Sequence, residues 1–175
     1  MTVLLLAATL LGGAVHEEAR YLMGTVAVVQ ARAADADVAE ACVDAAFTEM
    51  TRLEDMLSTW REDTELRRLA RAEPGAWTPV SPEVAEVLGH ALALAEASSG
   101  AFDPTVLPLV RLWGLRGGVL RAPAPAALDS ARALVGWSQV RVDRGRVLLA
   151  RAGAELDLGG IAKGYALDRA SAAMR

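Results

Sequence analysis

The ten residues DLGGIAKGYA, Asp157 to Ala166, set a carboxylate, two adjacent glycines and a lysine within seven positions. An apolar run, interrupted only by Glu155, leads into Asp157, and the sequence from Ile161 onward reads as a helix. A strand, a glycine turn and a helix entry together make an anion site, because glycine lets backbone N–H groups approach a ligand and the helix N-terminus adds partial positive charge. Lys163 would lie one turn into that helix, within reach of a bound phosphate. The P-loop pattern does not fit, since Lys163 is followed by Gly164 and Tyr165 where Ser or Thr is required, and a dinucleotide fingerprint fails as well. The plainer alternative is a tight turn with Asp157 as a cap and Lys163 as a solvated helix residue.

A second cluster, SSGAFDPTVLPLVRLWG from Ser98 to Gly114, follows a helical stretch. Pro104 disfavours the helical region for Asp103, and Gly100 suits the left-handed position that ends the preceding helix. Asp103 is therefore expected in an extended turn. Two readings stand side by side: Asp103 and Thr105 cap a short helix over a core of Phe102, Leu109 and Trp113, or Phe102 and Asp103 border a polar site for the edge of a ring.

The elements that must carry these clusters alternate between strand and helix. Tyr21 to Gln30, rich in Val and Thr, reads as a strand. From Asp37 to Leu57, with Asp35 as N-cap, apolar residues at Val38, Cys42, Ala45, Phe47, Met50, Leu53 and Leu57 approximate helical spacing. Ser81 and Pro82 start a second helix, with a stripe at Val84, Val87, Leu88, Ala91, Leu92 and Ala95 that ends near Gly100. Arg121 to Ala126 reads as a linker into a third helix that stops at Gly136. Gln139 to Asp143 and Arg146 to Ala150 bracket Arg144 and Gly145 as a hairpin, which feeds the DLGG turn and a last helix. Helices mixed with antiparallel strands predict an α+β domain.

With 175 residues, 53% of them hydrophobic, and a mean hydropathy of +0.27, the chain can bury a real core. A formal charge of -4 gives no electrostatic footprint for nucleic acid. The mildly basic stretch from Arg111 to Arg121 and the mixed one from Arg61 to Arg71 read as solvated faces. Cys42 is the only cysteine, which excludes an internal disulfide framework, and it reads as buried packing. Neither His16 nor His90 has a partner histidine at metal-binding spacing. Residues 3 to 15 form an apolar run too short to span a bilayer and of the right length for a signal-peptide core over residues 1 to 15, with a buried first strand or a misplaced start codon as the alternatives. No basic residue precedes the run.

The clusters, with MGT at Met23 to Thr25 and LSTWREDTELRRL at Leu57 to Leu69, resemble in order and spacing the FAD:protein FMN transferases of the ApbE family. The resemblance covers residues 20 to 175 and implies a T-fold-like core. Members of that family are close to twice this length, so the resemblance is to an N-terminal part. It implies FAD as substrate, Mg2+ as cofactor, and a threonine-containing acceptor protein, a membrane-associated redox subunit, in the periplasm or cell envelope.

Carried over to this sequence, the resemblance places Met23 at the flavin or adenine region. Trp60 stands where the family usually has a tyrosine beside the ligand, with core packing as the alternative. Ala101, Phe102 and Asp103 would hold FAD through backbone groups and the Asp103 carboxylate. Asp157 and Lys163 would meet its polar end, and the Gly160 carbonyl would face the metal. The family's remaining metal ligands and its proposed histidine base belong to the second half, so these 175 residues alone are expected to be inactive or nearly so, and prone to aggregate. A non-catalytic FAD-binding module and a metal-dependent FAD pyrophosphatase are the alternative activities.

Overall fold

A computed structural model describes residues 13–175 of the chain. Most of the leader-like apolar run lies outside the described residues, and its last two residues, Ala14 and Val15, open a strand. The chain divides into two units, residues up to Glu54 with Ala166–Arg175, and Asp55–Tyr165.

In the first unit, strands β1 (Ala14–Leu22) and β2 (Thr25–Ala33) form an antiparallel hairpin in which Leu22 pairs with Thr25 and Ala14 with Ala33. The single strand expected from Tyr21 to Gln30 is therefore two, folded at Met23 and Gly24. Both turn residues have positive φ, 51° and 77°, the pair that matches the right-handed twist of the flanking strands. The polar run HEEAR hid β1, because its half-buried positions His16, Glu18 and Arg20 are not apolar. Helix α1 (Ala36–Leu57) begins as expected, with the Asp35 carboxylate accepting the Val38 N–H at 2.9 Å. Its buried face is Ala39, Val43, Ala46, Phe47, Met50 and Leu53, whereas Val38 is 47% exposed and Cys42 only half-buried. The stripe begins one residue later than the larger side chains suggested, because alanines hold the inward positions. Each fully buried large side chain there, Phe47 or Leu53, contributes about 1.5–3 kcal/mol. Arg20 ties the hairpin to α1, with its guanidinium 4.4 Å from the Phe47 ring and 3.0 Å from the Asp44 carboxylate.

The second unit is built on a three-stranded antiparallel sheet in the order β3 (Thr78–Pro79), β5 (Arg146–Leu149), β4 (Val140–Asp143). The β4–β5 hairpin closes at Arg144 and Gly145, as the sequence indicates, with φ of 45° and 73°. Val140, Val147 and Leu149 are buried, and helices α2 (Glu65–Arg71) and α3 (Pro82–Ala97) contact the sheet. α3 starts at Ser81, whose hydroxyl accepts the Val84 N–H, and it buries Val84, Val87, Leu88, Ala91 and Ala95. α2 has a Thr64 cap and buries Leu66 and Leu69. Short helices α4 (Leu107–Leu112) and α5 (Pro125–Arg132) contact each other, and α5 ends four residues before Gly136. The last helix, α6 (Ala162–Ala173), begins in this unit and continues into the first.

Candidate ligand-binding site

The site in the second unit is assembled by the end of α3. The N–H of Gly100 donates to the Ala95 carbonyl at 2.8 Å and that of Ser99 to Glu96 at 3.0 Å, a Schellman closure. Ser99 and Gly100 both take positive φ, 53° and 82°. The chain then turns back on Ser98, whose carbonyl accepts the Ala101 N–H and whose hydroxyl accepts the Phe102 N–H, each at 3.1 Å. The N–H groups of Ala101 and Phe102 are thus both occupied within the loop.

Asp103 is a hub for backbone. Its Oδ1 accepts the N–H and the hydroxyl of Thr105, at 2.8 and 2.6 Å, and its Oδ2 accepts the Trp137 N–H at 3.0 Å. The Thr105 hydroxyl oxygen, fully buried, accepts the Gly136 N–H at 2.8 Å. Asp103 and Thr105 thus do not cap α4, whose N-cap is Val106 without a side-chain bond. They pin the loop before α4 to the loop before β4. Trp113, offered as core in that reading, is 40% exposed.

The two clusters meet at one hydrogen bond, from the Asp157 N–H to the Pro104 carbonyl at 2.7 Å. Residues 154–158 are extended loop rather than the expected strand, because this bond and the side-chain contacts of Asp157 replace ladder pairing. Asp157 Oδ1 accepts the Gly159 N–H at 2.8 Å, closing the turn that feeds α6. Lys163 is the second residue of α6, not a turn further in, and its exposed ammonium donates back to the Gly159 carbonyl at 2.9 Å. It is the sole lysine of the sequence. Two ammonium donors remain for an anion. Tyr165 anchors this segment to α3 through a 2.6 Å bond to Glu86.

Between the clusters lies a cleft of about 500 Å³ lined by Ala101, Phe102, Asp103, Asp157, Gly159 and Gly160, with Val106, Leu109 and Val135 among its apolar walls. A volume of that order suits a small organic ligand. Five of the site residues read from the sequence therefore border one space. Lys163 is tied to its rim through Gly159. Met23 belongs to the other unit, where its N–H donates to Glu54 at 2.7 Å.

Trp60 is 68% exposed, so the core alternative does not hold. One ring face is covered by the guanidinium of Arg116 at 4.7 Å. Arg116, within the stretch read as a solvated basic face, is instead 14% exposed and bonds to Thr59 and, at 3.1 Å, to Asp157 Oδ2. Arg111 of the same stretch pairs with Glu155 at 2.6 Å, and Arg67 pairs with the other Glu155 oxygen at 2.9 Å, which explains the one charge in the apolar run before Asp157. Nothing in the local sequence marked these pairings, since the partners lie 41 to 88 positions apart.

The ApbE family's sequence profile matches residues 23–175. The chain belongs to the ApbE family. It is 35% identical over 136 residues to an FAD:protein FMN transferase of Treponema pallidum, covering 74% of this chain and 38% of that one. It is 34% identical over 152 residues to that of Salmonella typhimurium, covering 83% and 43%. The ApbE protein structure from Thermotoga maritima superposes with a TM-score of 0.83 at 32% identity, over 92% of this chain and 52% of that one. The flavinyl transferase ApbE of Pseudomonas stutzeri in its apo form gives 0.85 at 29%, over 94% and 54%. The chain thus spans less than half the length of these two sequence relatives, and the expected α+β architecture is that of the family's solved members.

Proposed function

We propose that these residues form the flavin-nucleotide side of an FAD:protein FMN transferase. The observation that carries the reading is the cleft in which Ala101, Phe102, Asp103, Asp157 and Gly160 converge. In the proposed reaction a threonine hydroxyl of an acceptor protein attacks the FMN-side phosphorus of FAD. The pyrophosphate P–O bond breaks, its electron pair leaves with AMP, the hydroxyl proton passes to solvent, and FMN stays on the threonine as a phosphoester.

The chain's own residues would bind and orient. The carbonyls of Ala101 and Phe102 accept from ring N–H or amino groups, Phe102 supplies an apolar edge, and the free ammonium donors of Lys163 meet phosphate oxygens. Trp60 offers its uncovered face for stacking.

A magnesium ion, which the family resemblance implies, would supply charge neutralisation to a pyrophosphate. Among the described residues no group of three Asp, Glu, His or Cys side chains could hold a metal, and both Asp157 oxygens already accept protein donors. The Gly160 carbonyl alone is too little for an ion that takes an octahedral oxygen shell, so these residues do not by themselves fit the ion. The same reading puts the protein in the periplasm or cell envelope, with a membrane-associated redox subunit as acceptor. Among the described residues no helix is long and apolar enough to cross a membrane.

The test is incubation with FAD, magnesium and a threonine-containing acceptor. AMP release with covalent flavin on the acceptor supports transfer. Free FMN without acceptor labelling indicates a pyrophosphatase, saturable FAD binding without AMP a binding module, and no binding at all overturns the reading.

A further inference from the structure

We infer that Arg116 is a positioning residue that sets specificity, holding the Asp157 wall of the cleft electrically neutral so that a phosphate-bearing flavin can enter. The inference rests on the flavin-nucleotide reading of the cleft. Asp157 lines that cleft and is 15% exposed, while its partner Arg116 is 14% exposed. A carboxylate so withdrawn from water projects its charge with little screening, and an anionic ligand beside it would be repelled unless a cation answers it.

Arg116 answers it at 3.1 Å through Nη2. Two further contacts fix the guanidinium, the Thr59 hydroxyl, which is buried, and the Trp60 ring at 4.7 Å. Arg116 itself does not line the cleft. It acts on the ligand through Asp157, whose Oδ1 meanwhile shapes the glycine turn by accepting the Gly159 N–H. The pair therefore separates two tasks of one carboxylate: Oδ1 builds the turn, and Oδ2 is neutralised from behind. Riboflavin carries no phosphate, so the neutral wall matters to FAD and hardly to riboflavin.

The test uses the full chain with FAD and riboflavin as probes, each titrated by flavin fluorescence. R116Q is expected to weaken FAD binding about tenfold and riboflavin binding less than about twofold, while R116K retains most of the FAD affinity. R116Q/D157N, which removes both charges, is expected to recover FAD affinity to within about threefold of D157N alone. D157N by itself keeps an acceptor for the Gly159 N–H and leaves Arg116 unanswered, so it should raise the ratio of FAD to riboflavin affinity. This arm holds even where R116Q fails to fold.

Equal losses for both flavins in R116Q, or a lower ratio in D157N, would overturn the inference as a merely structural effect. A parent chain that binds FAD, with R116Q binding it equally well, also sinks the inference and leaves the flavin reading intact. A parent chain that binds neither flavin sinks both.

Discussion

Gly160 and Phe102 touch across the cleft so closely that a Cβ on Gly160 would lie 3.0 Å from the ring Cε2. The ring of one motif thus rests on the backbone of the other, and a Cβ there would fit only if the ring gave way by a few tenths of an ångström. Gly160→Ala should push the ring aside by a few tenths of an ångström, costing about 1 kcal/mol of stability by overpacking. Displacement of a cleft wall should cost more in binding than in folding. FAD titration and thermal melting of the same variant check this, and a melting shift with unchanged FAD affinity would show that the contact serves packing alone.

Asp103 illustrates a carboxylate whose first task is structural. Three protein donors converge on it, two from Thr105 and one from Trp137. Hydrogen bonds to a charged group contribute roughly 1.5–3 kcal/mol, so Asp103→Ala should lower unfolding free energy by about 2–3 kcal/mol. Asp103→Asn should also be costly, since one of the two oxygens becomes a donor facing N–H or O–H. Urea unfolding measures the loss, and faster hydrogen exchange of the Trp137 amide would localise it. A midpoint unchanged in both variants would refute the clamp.

The elements with strong local signals are those the sequence shows plainly. Ser81 and Pro82, the stripe on α3 and the Arg144-Gly145 turn all act within a few residues, so the chain's own chemistry decides them. Met23 and Gly24 had an equally local signal, but the polar HEEAR run obscured the strand before them. The motif residues 101–103, 157 and 160 were legible as a group through family resemblance, and the cleft brings them together. Arg116 was not legible. Its partners Thr59, Trp60 and Asp157 lie far off in sequence, and only folding turns part of a basic run into a half-buried ion pair.

Acid should weaken the ion pairs that Glu62 makes with α2. The Arg67 guanidinium, hydrogen-bonded to Glu62 at 2.9 Å, holds the Glu62 carboxyl below its ordinary value of 4.5, with Arg71 adding to the effect. A pKa lower in the folded state means that Glu62 stabilises the fold above about pH 4.5, and that this contribution fades as pH falls through the folded value. Urea midpoints between pH 6 and pH 3 should therefore decline less in Glu62→Gln than in the parent chain. Parallel declines would exclude Glu62 as a contributor.

Arg144 occupies the first φ-positive position of a two-residue turn, at 45°, where its Cβ crowds the backbone. Asparagine tolerates this region better, and Asn-Gly is the favoured pair for such turns. Arg144→Asn should raise stability by about 0.5–1 kcal/mol. Removing the cation also takes away its exposed contact with Asp143 at 3.9 Å, a surface pair of little energetic consequence. Melting temperature decides the point, and an unchanged or lower value would mean that Arg144 carries an interaction stronger than its backbone strain.

Lys163, as the sole lysine, permits a direct test of the phosphate end of the site. Its ammonium is exposed and spends one donor on the Gly159 carbonyl, so Lys163→Met should leave the fold within about 0.5 kcal/mol of the parent. If the remaining donors meet phosphate, the same variant should bind FAD about tenfold more weakly, the scale of one charge-assisted contact. An amine-reactive reagent has only this side chain to label, and FAD should slow that reaction in proportion to occupancy. Labelling at the same rate with and without saturating FAD would separate Lys163 from the phosphates, and would leave the Ala101, Phe102 and Asp157 walls as the contacts that hold the nucleotide.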